Sequence, residues 1–292
     1  MSPFDYFQAS SVEEAAQALK DGEGKILAGG TDLVVQLKQG KVHPRRVIDV
    51  TRIPALHRLR EENGQIVLGA GVTFQELIAS SLVHQGAFPL VQMASQMGSL
   101  QIRNVATLGG NMANGSPSAD SLVPLLAFGT TVTLQSTRGS RETALSALLE
   151  APPGRVSLPP DEIIVEIRFP RPAPNARSIF LKLGRRNALN IARLSLCAIL
   201  TLDSNRRIAT AAVTVGSASP HPVRVSTAEK LLNGSPMNPQ LLEEGVEEIS
   251  RSVARSLGKR ASAPYKSLAI RGLAREALEY CFNLEEQRRQ AS

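Results

Sequence analysis

The chain of 292 residues contains no tryptophan, three tyrosines and eight phenylalanines. So few aromatic rings leave few members for a surface on which the bases of single-stranded nucleic acid stack. Cysteine is as scarce: Cys197 and Cys281 stand far apart and neither belongs to a CxxC pair. That pattern signals no disulfide framework and no zinc or iron–sulfur site, and it fits a reducing compartment. No stretch reaches the roughly 18 unbroken apolar residues of a membrane span, and the start MSPFDYFQAS lacks a charged segment leading into an apolar one. A cytoplasmic protein without a membrane span is the expectation. The four histidines, His43, His57, His84 and His221, have no acidic or cysteine neighbours, and no HxxxH or HExxH spacing occurs. The sequence therefore offers no metal site and no catalytic constellation of its own.

What is present is an apolar fraction of 42%, enough for a sizeable core, in a chain long enough for two domains. The 33 basic residues exceed the 26 acidic ones by seven. They are dispersed in pairs (Arg45-Arg46, Arg185-Arg186, Arg206-Arg207, Lys259-Arg260, Arg288-Arg289) and form no run of five. This is a solvated basic surface able to steer anions or acidic partners, not a nucleic-acid footprint.

Along the chain, Ser11 with Glu14 makes a capping box for a helix that buries Ala15, Ala16 and Leu19 and stops at Gly22. A strand at residues 25–28 runs into Gly29-Gly30. Thr31 or Asp32 then caps a short helix that turns Leu33, Val34 and Leu37 inward and ends at Gly40. RRVIDV and QIVLGAGV read as strands, Thr73 with Glu76 as a second capping box, and residues 89–97 as a helix. After a second glycine pair come the apolar run 122–128 and the strand TVTLQS. EIIVEIRFP alternates, with Ile163, Val165, Ile167 and Phe169 on one face and Glu166 and Arg168 on the other. Three prolines in residues 170–176 make a linker, which sets domains at 1–176 (subdomains about 1–55 and 56–176) and 177–292. Beyond it lie three strands, about 178–183, 192–202 and 207–217, the last two joined by a DSN turn. Helices follow: one capped by Ser226 and Glu229, then PQLLEEGVEEISRSVARSL, then residues 265–281, with EEQRRQAS as a frayed tail.

Two stretches stand apart, ILAGGTDLVVQ and TLGGNMANGSPSAD. Consecutive glycines let main-chain N–H groups converge into a concave nest for an anion, and a helix start adds its positive end. Two such loops suit a diphosphate. Neither matches GxGxxG or a P-loop, and tight turns are the commoner use of a glycine pair. Yet Thr31, Asp32, Asn111, Ser116 and Asp120 crowd these loops with small polar side chains. A protein that grips a dinucleotide without an acid, base or metal ligand leaves the chemistry to a cofactor.

On AGGTDL and QIRNVATLGGNMANGSPSAD, and on PPGRVSLPPDEIIVEIRFP, KLGRRNALNIARLSL and VGSASPHPVRVSTAEKLLNG, the chain closely resembles the flavin-binding medium subunit of the molybdenum hydroxylases. That family includes bacterial xanthine dehydrogenases and aerobic carbon monoxide dehydrogenases, and the resemblance spans nearly the whole chain. It implies an α+β architecture: a vanillyl-alcohol-oxidase (PCMH)-type FAD-binding domain of two α/β subdomains, then a C-terminal domain with a three-stranded antiparallel sheet and helices. By matching positions, Ile26, Leu27, Ala28, Gly29, Gly30, Thr31, Asp32 and Leu33 would wrap the FAD pyrophosphate from one side. Thr107, Gly109, Gly110, Asn111, Ser116 and Asp120 would hold pyrophosphate and ribityl from the other. Met97 and Ile164 match positions packed on the flavin, and Lys182 a basic residue beside it. Ala119 stands where relatives often have Ser, and Tyr265-Lys266 replaces a common Tyr-Arg pair. No cysteine-rich insertion for an extra cluster is present, so no metal is expected in this chain.

The resemblance further implies an FAD-dependent oxidoreductase subunit that takes electrons from two 2Fe-2S clusters of a small subunit, themselves fed by a molybdopterin-binding large subunit. It would pass them to NAD+ or another acceptor, in a dimer of heterotrimers. GRVSLPPDEI is more similar to the xanthine dehydrogenase branch than to the carbon monoxide branch, which remains an alternative together with other aromatic or N-heterocycle hydroxylases. A stand-alone FAD oxidoreductase of the same superfamily would need its own acid or base, and none stands out. A basic nucleic-acid-binding module would need clustered Lys/Arg and a reading helix, which are also missing.

Overall fold

The computed structural model describes residues 3–152, 156–184 and 191–282. The tail EEQRRQAS and the pairs Arg185-Arg186 and Arg288-Arg289 lie outside these. The chain opens with β1 (Asp5–Gln8), α1 (Val12–Leu19), β2 (Gly24–Leu27), α2 (Leu33–Lys38) and β3 (Arg46–Asp49). After a 3-10 turn at Pro54–His57 come β4 (Leu59–Glu62), β5 (Gln65–Gly69), α3 (Phe74–Ala79), α4 (Ser81–Gly86), α5 (Phe88–Ser95), α6 (Leu100–Arg103), α7 (Leu108–Asn114) and α8 (Leu122–Ala127). Next are β6 (Thr131–Ser136), β7 (Gly139–Ala144), α9 (Leu145–Leu148), β8 (Ile163–Pro170), β9 (Arg177–Gly184), β10 (Ala192–Leu202) and β11 (Ile208–Gly216). β12 (Val223–Arg224), α10 (Ser226–Leu232), α11 (Pro239–Leu257) and α12 (Ala263–Phe282) complete the described chain. Residues 3–86, 97–116 and 129–171 build one compact unit, and residues 87–96, 117–128 and 172–282 build another.

The first unit holds two sheets. One is parallel, in the order β1-β3-β2, with Phe7 and Ile26 both paired to Ile48. The other is antiparallel, β4-β5-β8-β6-β7. Helix α1 packs against β2 and β3 of the first and against β6 and β8 of the second, through buried Val12, Ala15, Ala16 and Leu19. Its small side chains let one helix serve two sheets. Ser11 caps it as expected, its hydroxyl accepting from the Glu14 amide, but the Glu14 carboxylate turns to the Ser10 N–H and hydroxyl, so the box is not reciprocal. The Thr73–Glu76 box ahead of α3 closes in both directions.

β8 departs from plain alternation. Its register against β6 slips by one residue, Thr133 pairing with Glu166 and Leu134 with Ile164, which leaves Val165 bulged. Ile163 and Ile164 are therefore both buried, and Val165 leaves the core face on which alternation placed it. Its carbonyl accepts instead from the Ala70 amide.

In the second unit β9, β10 and β11 are joined at the edge by the two-residue β12, in the order β12-β11-β10-β9. Leu194, Leu196, Ala198 and Leu200 of β10 share a core with α10, α11 and α12. The alternate residues face the other way: a Cβ on Gly216 would lie 2.5 Å from both Ser195 Oγ and Val123 Cγ2 of α8. With both faces covered, β10 reads as a nearly continuous apolar run. Asp203 forms the expected turn, its Oδ1 accepting from the Asn205 and Arg207 amides.

Ser226 does not cap α10; Val225 holds that position and no side chain caps the helix. Glu229 points inward instead, where its Oε1 accepts from the buried Val213 amide and from Arg224 Nε, each at 2.9 Å. A strand amide needed that acceptor more than the helix end did. Glu229→Ala strands the Val213 N–H, and urea unfolding is expected to show a loss of about 1–3 kcal/mol, with the substitution neutral if the carboxylate is only a surface charge.

Candidate functional site

Strand β2 delivers Ile26 and Leu27 to a sharp turn at Gly29-Gly30, and Gly30 takes a left-handed φ of +70°. Gly29 lies so close to the preceding segment of α7 that an added Cβ would stand 1.9 Å from the Val105 carbonyl oxygen and 2.9 Å from Ala106 Cα. Only glycine permits this approach. It brings the two glycine-bearing stretches together within the first unit, and Gln36 of α2 reaches Asn114 of α7 at 3.4 Å.

The main-chain amides of Gly29, Gly30, Thr31, Asp32 and Leu33 donate to no acceptor among the described residues, and the first bond into α2 is Val34 N–H to the Gly30 carbonyl. Neither expected cap operates: the Asp32 carboxylate makes no capping bond and the Thr31 hydroxyl has no partner among the described residues. The loop from Ile26 to Thr31 is half-buried. These five successive donors at a helix start, half-buried except at the exposed Asp32, are open to an external acceptor, and an anion can supply one.

The second glycine pair behaves differently from the loop the sequence suggested. Thr107 is the N-cap of α7, its Oγ1 accepting from the Gly110 amide at 3.1 Å, so Gly109-Gly110 form the helix's first turn. The amides of Leu108 and Gly109 already donate to the Val72 and Ala70 carbonyls, and that of Asn111 to Thr107. Gly109 is there for packing, because a Cβ would meet Ala70 Cβ at 2.6 Å. Ala70 is the residue pinned by the β8 bulge. Gly110 is exposed, Asn111 and Ser116 are half-buried, and Gly115 ends α7 with a φ of +60°. Ile164 is buried beside the bulge; Met97 is half-buried, and its carbonyl accepts from Arg103 Nη1 at 3.0 Å.

In the second unit, Lys182 of β9 and Asp120 form an ion pair at 2.5 Å, with side chains 1% and 6% exposed. Lys182 also donates to the Gln96 carbonyl at 3.3 Å. Burial pushes the Asp120 carboxyl up, against the pull of the lysine. Asp120 Oδ1 is buried with no partner. An unsatisfied buried carboxylate oxygen is costly, and a ligand hydroxyl would satisfy it. The histidines are anchored elsewhere: His57 and His84 bond the Thr51 and Ile78 carbonyls. No group of three His, Cys, Asp or Glu side chains suited to a metal occurs among the described residues, nor does a helix long and apolar enough to cross a membrane.

Within the first unit the amide row suits the diphosphate of a dinucleotide, and within the second the orphan carboxylate oxygen beside a buried cation suits a polar ligand group. The class is fixed by comparison with known proteins. Residues 2–172 match the FAD binding domain in molybdopterin dehydrogenase, and residues 179–281 the CO dehydrogenase flavoprotein C-terminal domain. The chain belongs to the family of FAD-binding medium subunits of molybdenum hydroxylases, and it is an FAD-dependent oxidoreductase subunit. It is 33% identical to the xanthine dehydrogenase FAD-binding subunit of Escherichia coli O157:H7 over 94% of both chains. It is 30% identical to the nicotinate dehydrogenase FAD-subunit of Eubacterium barkeri, again over 94% of both. Among solved structures it is similar to carbon monoxide dehydrogenase from Hydrogenophaga pseudoflava, with a TM-score of 0.89 and 26% identity over 97% of this chain and 99% of that one.

The two glycine stretches make opposite demands on substitution. Gly29→Ala drives a methyl into main chain that cannot retreat, and urea unfolding is expected to show a loss of at least about 2 kcal/mol. Gly110→Ala meets only the Thr107 hydroxyl, at 2.8 Å, and should cost under about 1 kcal/mol; equal losses would refute the close approach at Gly29.

Proposed function

We propose that this chain is the flavin-bearing electron relay of a multisubunit hydroxylase, set between a 2Fe-2S small subunit fed by a molybdopterin-binding large subunit and a final acceptor such as NAD+. The carrying observation is the row of unpaired amides from Gly29 to Leu33. They would hold the cofactor diphosphate, with the half-buried Ile26, Leu27 and Ala28 bordering it. Thr107, Gly109 and Gly110 would serve by fixing the start of α7, with Asn111 and Ser116 offering side chains beyond it. Met97 and Ile164 would supply apolar contact. Asp120 Oδ1 would accept from a cofactor hydroxyl, and Lys182, held by Asp120 Oδ2, would bring a cation that favours negative charge on the reduced ring.

When bound, FAD supplies the capacity to store two electrons that arrive singly. The described side chains then have only to bind, orient and tune, which accounts for a site without a general acid or base. The greater likeness to the xanthine and nicotinate enzymes supports an N-heterocycle as the substrate class of the assembly. Placement in the cytoplasm and a dimer of heterotrimers complete the proposal.

The purified chain, offered FAD, is expected to turn yellow with one flavin per chain. It should bind riboflavin, which carries the same ring without phosphates, at least about 100-fold more weakly, since charge-assisted bonds contribute roughly 1.5–3 kcal/mol each. No uptake by folded protein, or equal affinity for riboflavin, would overturn the diphosphate assignment. Isolated from its source, the chain should co-purify with cluster- and molybdenum-bearing chains and show flavin bleaching on addition of the organic substrate. Purification alone, with bleaching by a small molecule and no partner, would favour the stand-alone oxidoreductase.

A further inference from the structure

The second unit contains a group of cations that the flavin assignment does not use. Five of its described arginines have described carboxylate partners: Arg224 pairs with Glu229, Arg271 with Glu247, Arg275 with Glu243, and Arg251 and Arg255 with Glu248. Arg193, Arg260 and Lys266 do not; none of the three is in an ion pair among the described residues. They nonetheless converge on one point. Lys266 Nζ donates to the Ser217 carbonyl at 2.6 Å, and Arg260 Nη1 to the adjacent Ala218 carbonyl at 3.3 Å. The Arg193 guanidinium lies over the Tyr265 ring, 5.6 Å from its centroid, a stacking that fixes its orientation.

Two of the cations stand on regular elements, Arg193 on β10 and Lys266 on α12, while Arg260 lies in the connection between α11 and α12; both carbonyl acceptors belong to the turn that leaves β11. That turn is itself under strain, since Ser217 adopts a left-handed φ of +61° without being glycine. Burial, with the neighbouring Arg260 and Arg193, pushes the Lys266 ammonium below its ordinary value. Three like charges held together without an acid raise the energy of the empty site, and an anion lowers it. Ser217 Oγ bonds the Pro117 carbonyl at 3.5 Å, so the cluster borders the segment that leads to Asp120.

We propose that Arg193, Arg260 and Lys266 form a binding site for the phosphate groups of a small molecule. Forked guanidiniums beside an ammonium match tetrahedral oxyanions. Arg193 and Lys266 are half-buried and anchored, whereas charges that meet an acidic protein surface lie on an exposed rim. A nicotinamide dinucleotide has this chemistry, and so does free phosphate.

The test uses the full chain loaded with FAD, titrated with inorganic pyrophosphate by calorimetry at low salt. Saturable binding at one site is expected, weakened at least about tenfold by Arg193→Gln or Lys266→Gln. Lys266→Arg should retain it, as should Arg275→Gln, a control on the same helix. Unchanged flavin content and melting temperature show that the variants are folded; the exposed Arg260→Gln replaces any that is not. Displacement of pyrophosphate by NAD+ identifies the dinucleotide, and displacement by orthophosphate alone identifies free phosphate; either supports the site. Absence of saturable binding, its survival in the Arg193→Gln/Lys266→Gln double variant, an equal loss in Arg275→Gln, or binding of polyglutamate but not pyrophosphate overturns it. Failure of the chain to take up FAD leaves the inference standing, because the same variants then separate the two anion sites in the flavin-free protein.

Discussion

The contact between Gly29 and the Val105 carbonyl is the constraint on which the site depends. At 1.9 Å from that oxygen there is no room for a Cβ, so the loop after β2 presses main chain against main chain just before α7. Held in this way, the loop leaves its amides from Gly29 to Leu33 without an acceptor among the described residues. Donors left unpaired at a helix start would give an anion site whose shape belongs to the backbone, consistent with the sparse side-chain chemistry around it. The polar residues that seemed suited to capping, Thr31 and Asp32, leave those donors unclaimed.

The second glycine pair works from beneath. Gly109 lets α7 settle on Ala70, and Ala70 is bonded to the bulged Val165 of β8. A one-residue slip in an antiparallel ladder therefore positions a helix start two elements away. The bulge also buries Ile164 next to Ile163, where alternation along EIIVEIRFP would have exposed it.

Much of this was legible in the sequence, for local reasons. Caps at Ser11 and Thr73, the turn at Asp203, the helix running from Pro239 to Leu257, and the long strands of the second unit all follow from spacing that short-range chemistry enforces. What stayed hidden depends on tertiary contact. Gly109-Gly110 looked like a loop because glycine is a poor helix former, and only Ala70 explains its presence in a helix. Glu229 looked like a cap because nothing local announces the Val213 amide. The Lys182–Asp120 pair joins residues 62 apart in sequence, and composition gives no hint that a basic chain would bury one cation so completely. The family resemblance suggested roles for individual residues; the geometry adds a physical reason for the amide row, which no motif states.

Hydrogen–deuterium exchange of the full chain with and without FAD tests the central claim most directly. The account predicts that the amides of Gly29 to Leu33 exchange fast in the free protein and become strongly protected when the cofactor is added, while Leu108, Gly109 and Asn111, already bonded within the protein, change little. Protection that appears only at the second stretch, with residues 29–33 left as fast as before, would contradict it.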